Sequence, residues 1–337
     1  MKQFKNQNLA RKENISVEFF YHNAKERFNL KLLSDQVGFD RLIIEQNLHR
    51  PGLALAGFVE LFSFSRVQVF GNTEMKYLQK LSSKQRAEVL TRLFDFEIPC
   101  IIITDKNKPF PEILNLANEK KIPVFGSHYP TTKLIYLVGD FLDDQFAPRM
   151  SVHGSFVDVY GVGMLFMGKS GVGKSEVALD LVERGHRLVA DDVVILTKKG
   201  EGILLGSGTD MIKHFMEVRG IGIIDVRSMF GIRAIRFQKR LEVVIELEIW
   251  DDGQEYTRTG LEDSSVDVCG IDIPHVKLPI IPGKNITVIS EVIALNYLLK
   301  HYGYDPAKVL QKRLLNKIDR NSQNMDRVID YFEHDFE

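Results

Sequence analysis

A chain of 337 residues exceeds the usual span of a single core, so two domains are expected, and its 44% hydrophobic and 26% charged composition excludes a largely disordered protein. With 44 Lys and Arg against 45 Asp and Glu, the formal charge of -1 provides no bulk attraction to nucleic acid or anionic lipid. The two cysteines, Cys100 and Cys269, lack CxxC spacing, which excludes a disulfide framework and fits a reducing compartment.

The opening MKQFKNQNLARKEN has no apolar leader core, and no run approaches the length of a membrane span. A cytoplasmic protein with neither nucleic-acid nor membrane partners is expected. From residue 15 to 135, short apolar runs alternate with amphipathic stretches. VQVF (67–70), PCIII (99–103) and Ile122 to Phe125 read as buried strands, and Lys84 to Phe96 and Pro111 to Lys121 as helices. That pattern predicts an α/β domain with a mixed or parallel sheet. His49, Arg50 and Glu60 read as surface charges or helix-cap partners. Residues 138–150, VGDFLDDQFAPRM, are acidic and contain a proline, which predicts the segment joining the two halves.

The second half opens on a buried strand, Val162 to Met167, followed at once by a glycine loop and then a helix from Lys174 to Arg184. Val177, Ala178, Leu181 and Val182 share one face of that helix, and Gly185 suits its C-terminus. LVADDVVIL (188–196) reads as one buried strand. EVVIELEI (242–249) is expected to turn Val243, Ile245, Leu247 and Ile249 inward against Val244, Glu246 and Glu248. Glu291 to His301 and Pro306 to Phe332 are predicted helices, the second interrupted around Asn321 to Asn324.

Gly168, Lys169, Ser170, Gly171, Val172, Gly173, Lys174 and Ser175 satisfy the P-loop pattern GxxxxGK followed by Ser or Thr. Glycines let backbone N–H groups converge on phosphate oxygens, and the following helix offers a positive N-terminus. Lys174 would reach the β and γ phosphates, and Ser175 would offer a hydroxyl to Mg²⁺. The pattern arises by chance in roughly 1 in 100 chains of this size, and the flanking strand and helix lower that further. A nucleotide-binding site for phosphoryl transfer is therefore expected. Asp191 and Asp192 follow Lys174 at a spacing where a strand carboxylate can hold the metal shell or take a proton, and paired acids would push one pKa upward. The receiver of the phosphate stays open on these grounds: ATPases, GTPases, small-molecule kinases and motors all use such loops, and a non-catalytic nucleotide sensor is a further alternative.

Several blocks narrow the choice. RPGLALAGF (50–58), RVQVFGNTE (66–74), PCIIIT (99–104), SVHGSFVDVYGVGMLFMGKSGVGKSEVALDLVERGHRLVADDVV (151–194), MEVRGIGIIDVRSMFG (216–231) and PIIPGKN (279–285) together resemble the bacterial HPr kinase/phosphorylase family over nearly the whole chain. The resemblance implies an N-terminal α/β domain (1–140) of no assigned role and a C-terminal P-loop kinase domain (141–337) with a mixed β-sheet core. It implies transfer of phosphate from ATP, or pyrophosphate, to a regulatory serine of the phosphocarrier protein HPr, and its removal by phosphorolysis, in control of carbon metabolism. It makes His153, Lys174, Asp192 and Arg258 catalytic, with Ser175 and Glu217 as Mg²⁺ ligands, Asp191 beside the base, and a homohexamer as the assembly. Arg219, in EVRG, is either a phosphate contact or a structural ion pair. One segment departs from the family pattern: where two arginines are usual, Ile281 and Lys284 stand, so a weaker phosphorylase reaction is expected, because Lys does not replace a bidentate guanidinium.

Overall fold

The computed structural model describes residue 4 and residues 9–209, 213–250, 264–281 and 283–323. The chain divides into two compact units, Ala10–Pro148 and Arg149–Glu337, the second joined by Met1–Leu9.

The first unit runs β1 (Ile15–Ser16), α1 (Val17–Ala24), β2 (Leu30–Leu32), β3 (Leu42–Ile43), β4 (Leu48–His49), α2 (Gly52–Leu55), β5 (Val67–Phe70), α3 (Asn72–Lys80), α4 (Ser83–Phe94), β6 (Ile101–Ile103), α5 (Pro111–Glu119), β7 (Val124–Ser127) and α6 (Thr131–Phe146). Its five-stranded sheet has the order β2-β7-β6-β5-β4, with β4 to β7 parallel and β2 antiparallel at the edge. β5 and β6 are buried on both faces, which is why they read as unbroken apolar runs. The boundaries of α4 follow from its cap: the hydroxyl of Ser82 accepts from the Gln85 amide, and the Gln85 side chain accepts from the Ser82 amide. Arg50 is committed to structure, since it reaches the buried carboxylate of Glu74 at 2.8 Å. Residues 138–146, expected to join the halves, are instead the end of α6. Leu134, Val138, Phe141, Leu142 and Phe146 recur at helical spacing and bury together, so the acidic residues among them occupy the opposite face.

The second unit continues with β8 (Arg149–His153), β9 (Ser155–Val159), β10 (Val162–Gly168), α7 (Lys174–Glu183), β11 (Arg187–Ala190), β12 (Val193–Lys199), β13 (Ile203–Ser207), β14 (Phe215–Val218), β15 (Gly222–Asp225) and α8 (Val226–Phe230). A 3₁₀ turn follows at Ile232–Ala234, then β16 (Gln238–Arg240), β17 (Val243–Ile249), β18 (Ser265–Val268), β19 (Ile271–Ile280), α9 (Ile286–His301) and α10 (Pro306–Gln323). A six-stranded sheet, β11-β9-β10-β17-β19-β18, lies between helices on one face and a four-stranded antiparallel sheet, β16-β13-β12-β8, on the other. β10, β17 and β19 are parallel.

Four expectations change here. The run 188–196 is two strands in two sheets, because the chain turns at Asp191-Asp192, with Asp192 at a φ of 63°. In β17, Val244 is buried and Ile249 is 71% exposed. Both faces of the strand are covered at its start and neither at its end, so simple alternation fails. The last helix is continuous through Gln323 and the chain beyond it lies outside the described residues. α9 begins at Ile286, earlier than expected, where the side chain of Asn285 caps it by accepting from the Val288 amide.

Candidate active site

The loop between β10 and α7 takes its shape from three glycines at positive φ: Gly168 (148°), Gly171 (79°) and Gly173 (99°), the last capping the helix. Gly171 is required for a second reason. A Cβ there would sit 2.8 Å from Nη1 and 3.0 Å from Nη2 of Arg219, so the guanidinium lies directly against the loop. Arg219 forms no ion pair with any described residue. Lys174 turns its Nζ back onto the carbonyls of Gly168 and Lys169, at 3.3 and 3.1 Å. Two cations thus lie on the glycine loop at the start of α7, and among the described residues no carboxylate is bonded to either, an electrostatic arrangement that favours a polyanion.

Asp191 and Asp192 are neighbours in sequence and opposites in environment. Asp191 is buried and accepts from the hydroxyls of Ser175, at 2.9 and 3.1 Å, and of Ser155, at 2.5 Å. Burial pushes its carboxyl above the usual aspartate range, opposed by the two hydroxyls and a backbone N–H; the charge of Asp192 adds only a minor push. The upward shift expected for one of the pair therefore falls on Asp191, chiefly through burial. Asp192 points outward with its side chain 70% exposed, and its Oδ1 lies 3.8 Å from Nδ1 of His153. The strand register brings these two together, since His153 on β8 pairs with Val193 at the start of β12. The left-handed backbone of Asp192, tolerated by aspartate, separates the two carboxylates.

Glu217 lies on β14 facing solvent, between Met216 and Val218, which pack into the core shared with α7. It bonds to no other described residue. The hydroxyl of Ser175 on a buried carboxylate, with Glu217 on the hairpin that also carries Arg219, is an all-oxygen donor set suited to Mg²⁺ rather than to a soft metal. Among the described residues no three His, Cys, Asp or Glu side chains converge, so any such ion would depend on phosphate oxygens and water to complete its shell. Arg258 lies outside the described residues. Lys284 follows the end of β19, and β10, β17 and β19 run parallel with Gly168, Leu247 and Leu278 in register. The P-loop and the Lys284 turn therefore leave the same edge of the sheet, where ligands of open α/β sheets bind.

Comparison with known proteins shows the family. The family model described as HPr Serine kinase C-terminal domain matches residues 144–314, and that described as HPr Serine kinase N terminus matches residues 16–142. An HPr kinase/phosphorylase of Chloroherpeton thalassium is 55% identical over 332 residues, covering 97% of this chain and 98% of its own length. The chain belongs to the HPr kinase/phosphorylase family. A second member, from Prosthecochloris aestuarii, is 51% identical over 93% of both chains. A solved structure, the Hpr(Ser) kinase/phosphatase from Coxiella burnetii, is 33% identical over 48% of this chain and 97% of its own, with a TM-score of 0.43.

Within this family member the structure joins Ser175 to Asp191 directly, sets Lys174 beside Ser175 at the start of α7, and brings His153 up to Asp192. Sequence reasoning missed Ser155, the second hydroxyl on Asp191. Its only signal was a polar residue at the start of a fully buried strand, SFVDV.

Proposed function

We propose that this protein phosphorylates a regulatory serine of HPr, with ATP or pyrophosphate as donor, and removes that phosphate by phosphorolysis, so linking carbon metabolism to the state of the carrier. The division of labour at Asp191 and Asp192 carries the reading. A buried acid bonded to the P-loop serine suits a metal shell, and an exposed acid backed by a histidine suits a proton transfer to or from a group on another protein's surface.

In the kinase direction the serine Oγ attacks the terminal phosphorus, the bond to the leaving phosphate oxygen breaks, and Asp192 takes the hydroxyl proton. His153 keeps Asp192 oriented. Lys174 and Arg219 meet the charge on the transferred group and the donor's remaining phosphates, and Arg258 is assigned the same task by resemblance. Ser175 and Glu217, with Asp191 behind Ser175, would hold Mg²⁺, which supplies charge neutralisation when bound. In reverse, inorganic phosphate attacks the phosphoserine phosphorus, the P–Oγ bond breaks, and Asp192 returns the proton, releasing serine and pyrophosphate. Lys284, a single ammonium on the neighbouring turn, supports a slower reverse reaction.

A homohexamer assembled through the kinase domain (141–337) is part of the proposal. The exposed Ile221, Ile223, Met229, Phe230 and Ile232 on and after the β14-β15 hairpin support an interface there. The free, buried thiol of Cys100 is in keeping with the cytoplasm. Intact-mass measurement of HPr after incubation with the protein, Mg²⁺ and ATP tests the reading, beside a Lys174→Ala control. One phosphoryl group on a serine, absent with the control, supports it. ATP consumption without HPr modification would point to an ATPase or small-molecule kinase, and binding without turnover to a sensor.

A further inference from the structure

Helices α7 and α9 begin at the two loops that share the active edge of the sheet, and a polar clasp joins them one turn apart at two levels. At the first level the hydroxyl of Thr287 on α9 donates to Asp180 on α7. At the second, Glu291 on α9 takes a two-pronged bond from Arg184, Nε at 3.0 Å and Nη2 at 2.7 Å. His186 lies 3.0 Å from the same carboxylate, with Tyr160 edge-on to its ring at 4.7 Å. Asp180 and Arg184 are four residues apart on one helix, and Thr287 and Glu291 four apart on the other, so the helices run side by side in the same direction. Thr287, Ser290, Glu291 and His186 are buried, which makes this an internal polar seam in a face otherwise packed by apolar side chains.

The polar groups have a cost that an apolar seam would not. A buried carboxylate must be fully paired to be tolerated, and apolar replacements would pack the same helices without that demand. What polar pairing adds is a unique register: a one-turn slip of α9 along α7 would leave the buried Glu291 and the half-buried Asp180 without these partners. Register here sets the distance between the P-loop, at the start of α7, and the Gly283-Lys284-Asn285 turn, at the start of α9. Thr287 stands in the first turn of α9, directly after the Lys284 turn, while Glu291, Arg184 and His186 lie further from that edge and act only through the helices.

We infer that Glu291, with Thr287, is a positioning residue that fixes the Lys284 turn against the P-loop for the phosphate-dependent direction of the reaction; the functional half of this inference rests on the activity proposed above. Two readouts separate the inference from that activity. Hydrogen exchange of amides 283–290 needs no substrate, and Glu291→Gln and Thr287→Val are expected to raise it by roughly tenfold while Thr287→Ser leaves it near wild type. In phosphate-dependent release of phosphate from phosphorylated HPr, the same two variants are expected to raise KM for phosphate by about fivefold or more, with KM for ATP in the forward direction changed less than about twofold. Unchanged exchange, or equal losses in both directions with no split in KM, would overturn the inference and leave Glu291 as a stabilising ion pair. A wild-type protein that never modifies HPr would defeat the proposed activity, while the exchange experiment would still decide the clasp.

Discussion

The two units each end a set of parallel strands in loops at one sheet edge, yet they treat the polar groups there in opposite ways. In the first unit the loop after β6 closes on itself. The hydroxyls of Thr104 and Thr131 lie 2.7 Å apart, and Asp105 accepts from both and from the Thr131 amide. Thr131 also fills the space beside Gly71, where a Cβ would collide with its side chain. In the second unit the equivalent edge keeps Lys174 and Arg219 without a bonded carboxylate among the described residues, and its loop is shaped by glycines at positive φ. Self-satisfied donors make a stable edge; unsatisfied ones make a binding site. Two similar sheets therefore serve different ends according to whether their loop donors are spent internally.

The largest expected effect is at the open edge. Lys174→Ala should lower phosphoryl transfer to HPr by on the order of a thousandfold with an unchanged far-ultraviolet circular dichroism spectrum. Asp192→Asn should lower kcat by roughly a hundredfold or more while nucleotide affinity, read by titration calorimetry, stays near wild type. Retained turnover would move the base elsewhere. Gly171→Ala forces a left-handed alanine into the guanidinium of Arg219, and nucleotide binding should weaken by about tenfold, corresponding to a strain of about 1–2 kcal/mol. At the closed edge, Thr131→Val should cost about 1 kcal/mol in denaturant unfolding and leave phosphoryl transfer unaltered. Lost transfer there would break the comparison.

A smaller effect belongs to pH. Glu291 has its carboxyl held below the ordinary glutamate range, first by its bond from Arg184. The stabilisation is complete above the unfolded-state value of about 4.3 and is lost as pH falls through the lower folded value. Thermal midpoints of wild type and Glu291→Gln should therefore converge as pH is lowered below the ordinary glutamate range.

Much of this was legible in the residues. The P-loop could be read because its chemistry needs contiguous residues of restricted type, and α7 because Val177, Ala178, Leu181 and Val182 repeat at helical spacing. The break at Asp191-Asp192 was not legible as a change of sheet, since an apolar run flanking two acids looks the same whether it continues or turns. Nor could spacing tell which acid is buried, because neighbouring strand residues face opposite ways only while the strand is regular.

By itself the sequence determined the α/β class, the phosphate loop with its following helix, and, through long shared blocks, the family. These depend on local backbone preference and short-range pattern. Only the tertiary structure decided that Asp191 serves Ser175 while Asp192 faces outward, that Arg219 rests on Gly171, and that Glu291 joins α7 to α9. Those pairings span up to 107 residues of chain, and such contacts are set by how sheets and helices stack, not by any neighbour in the sequence.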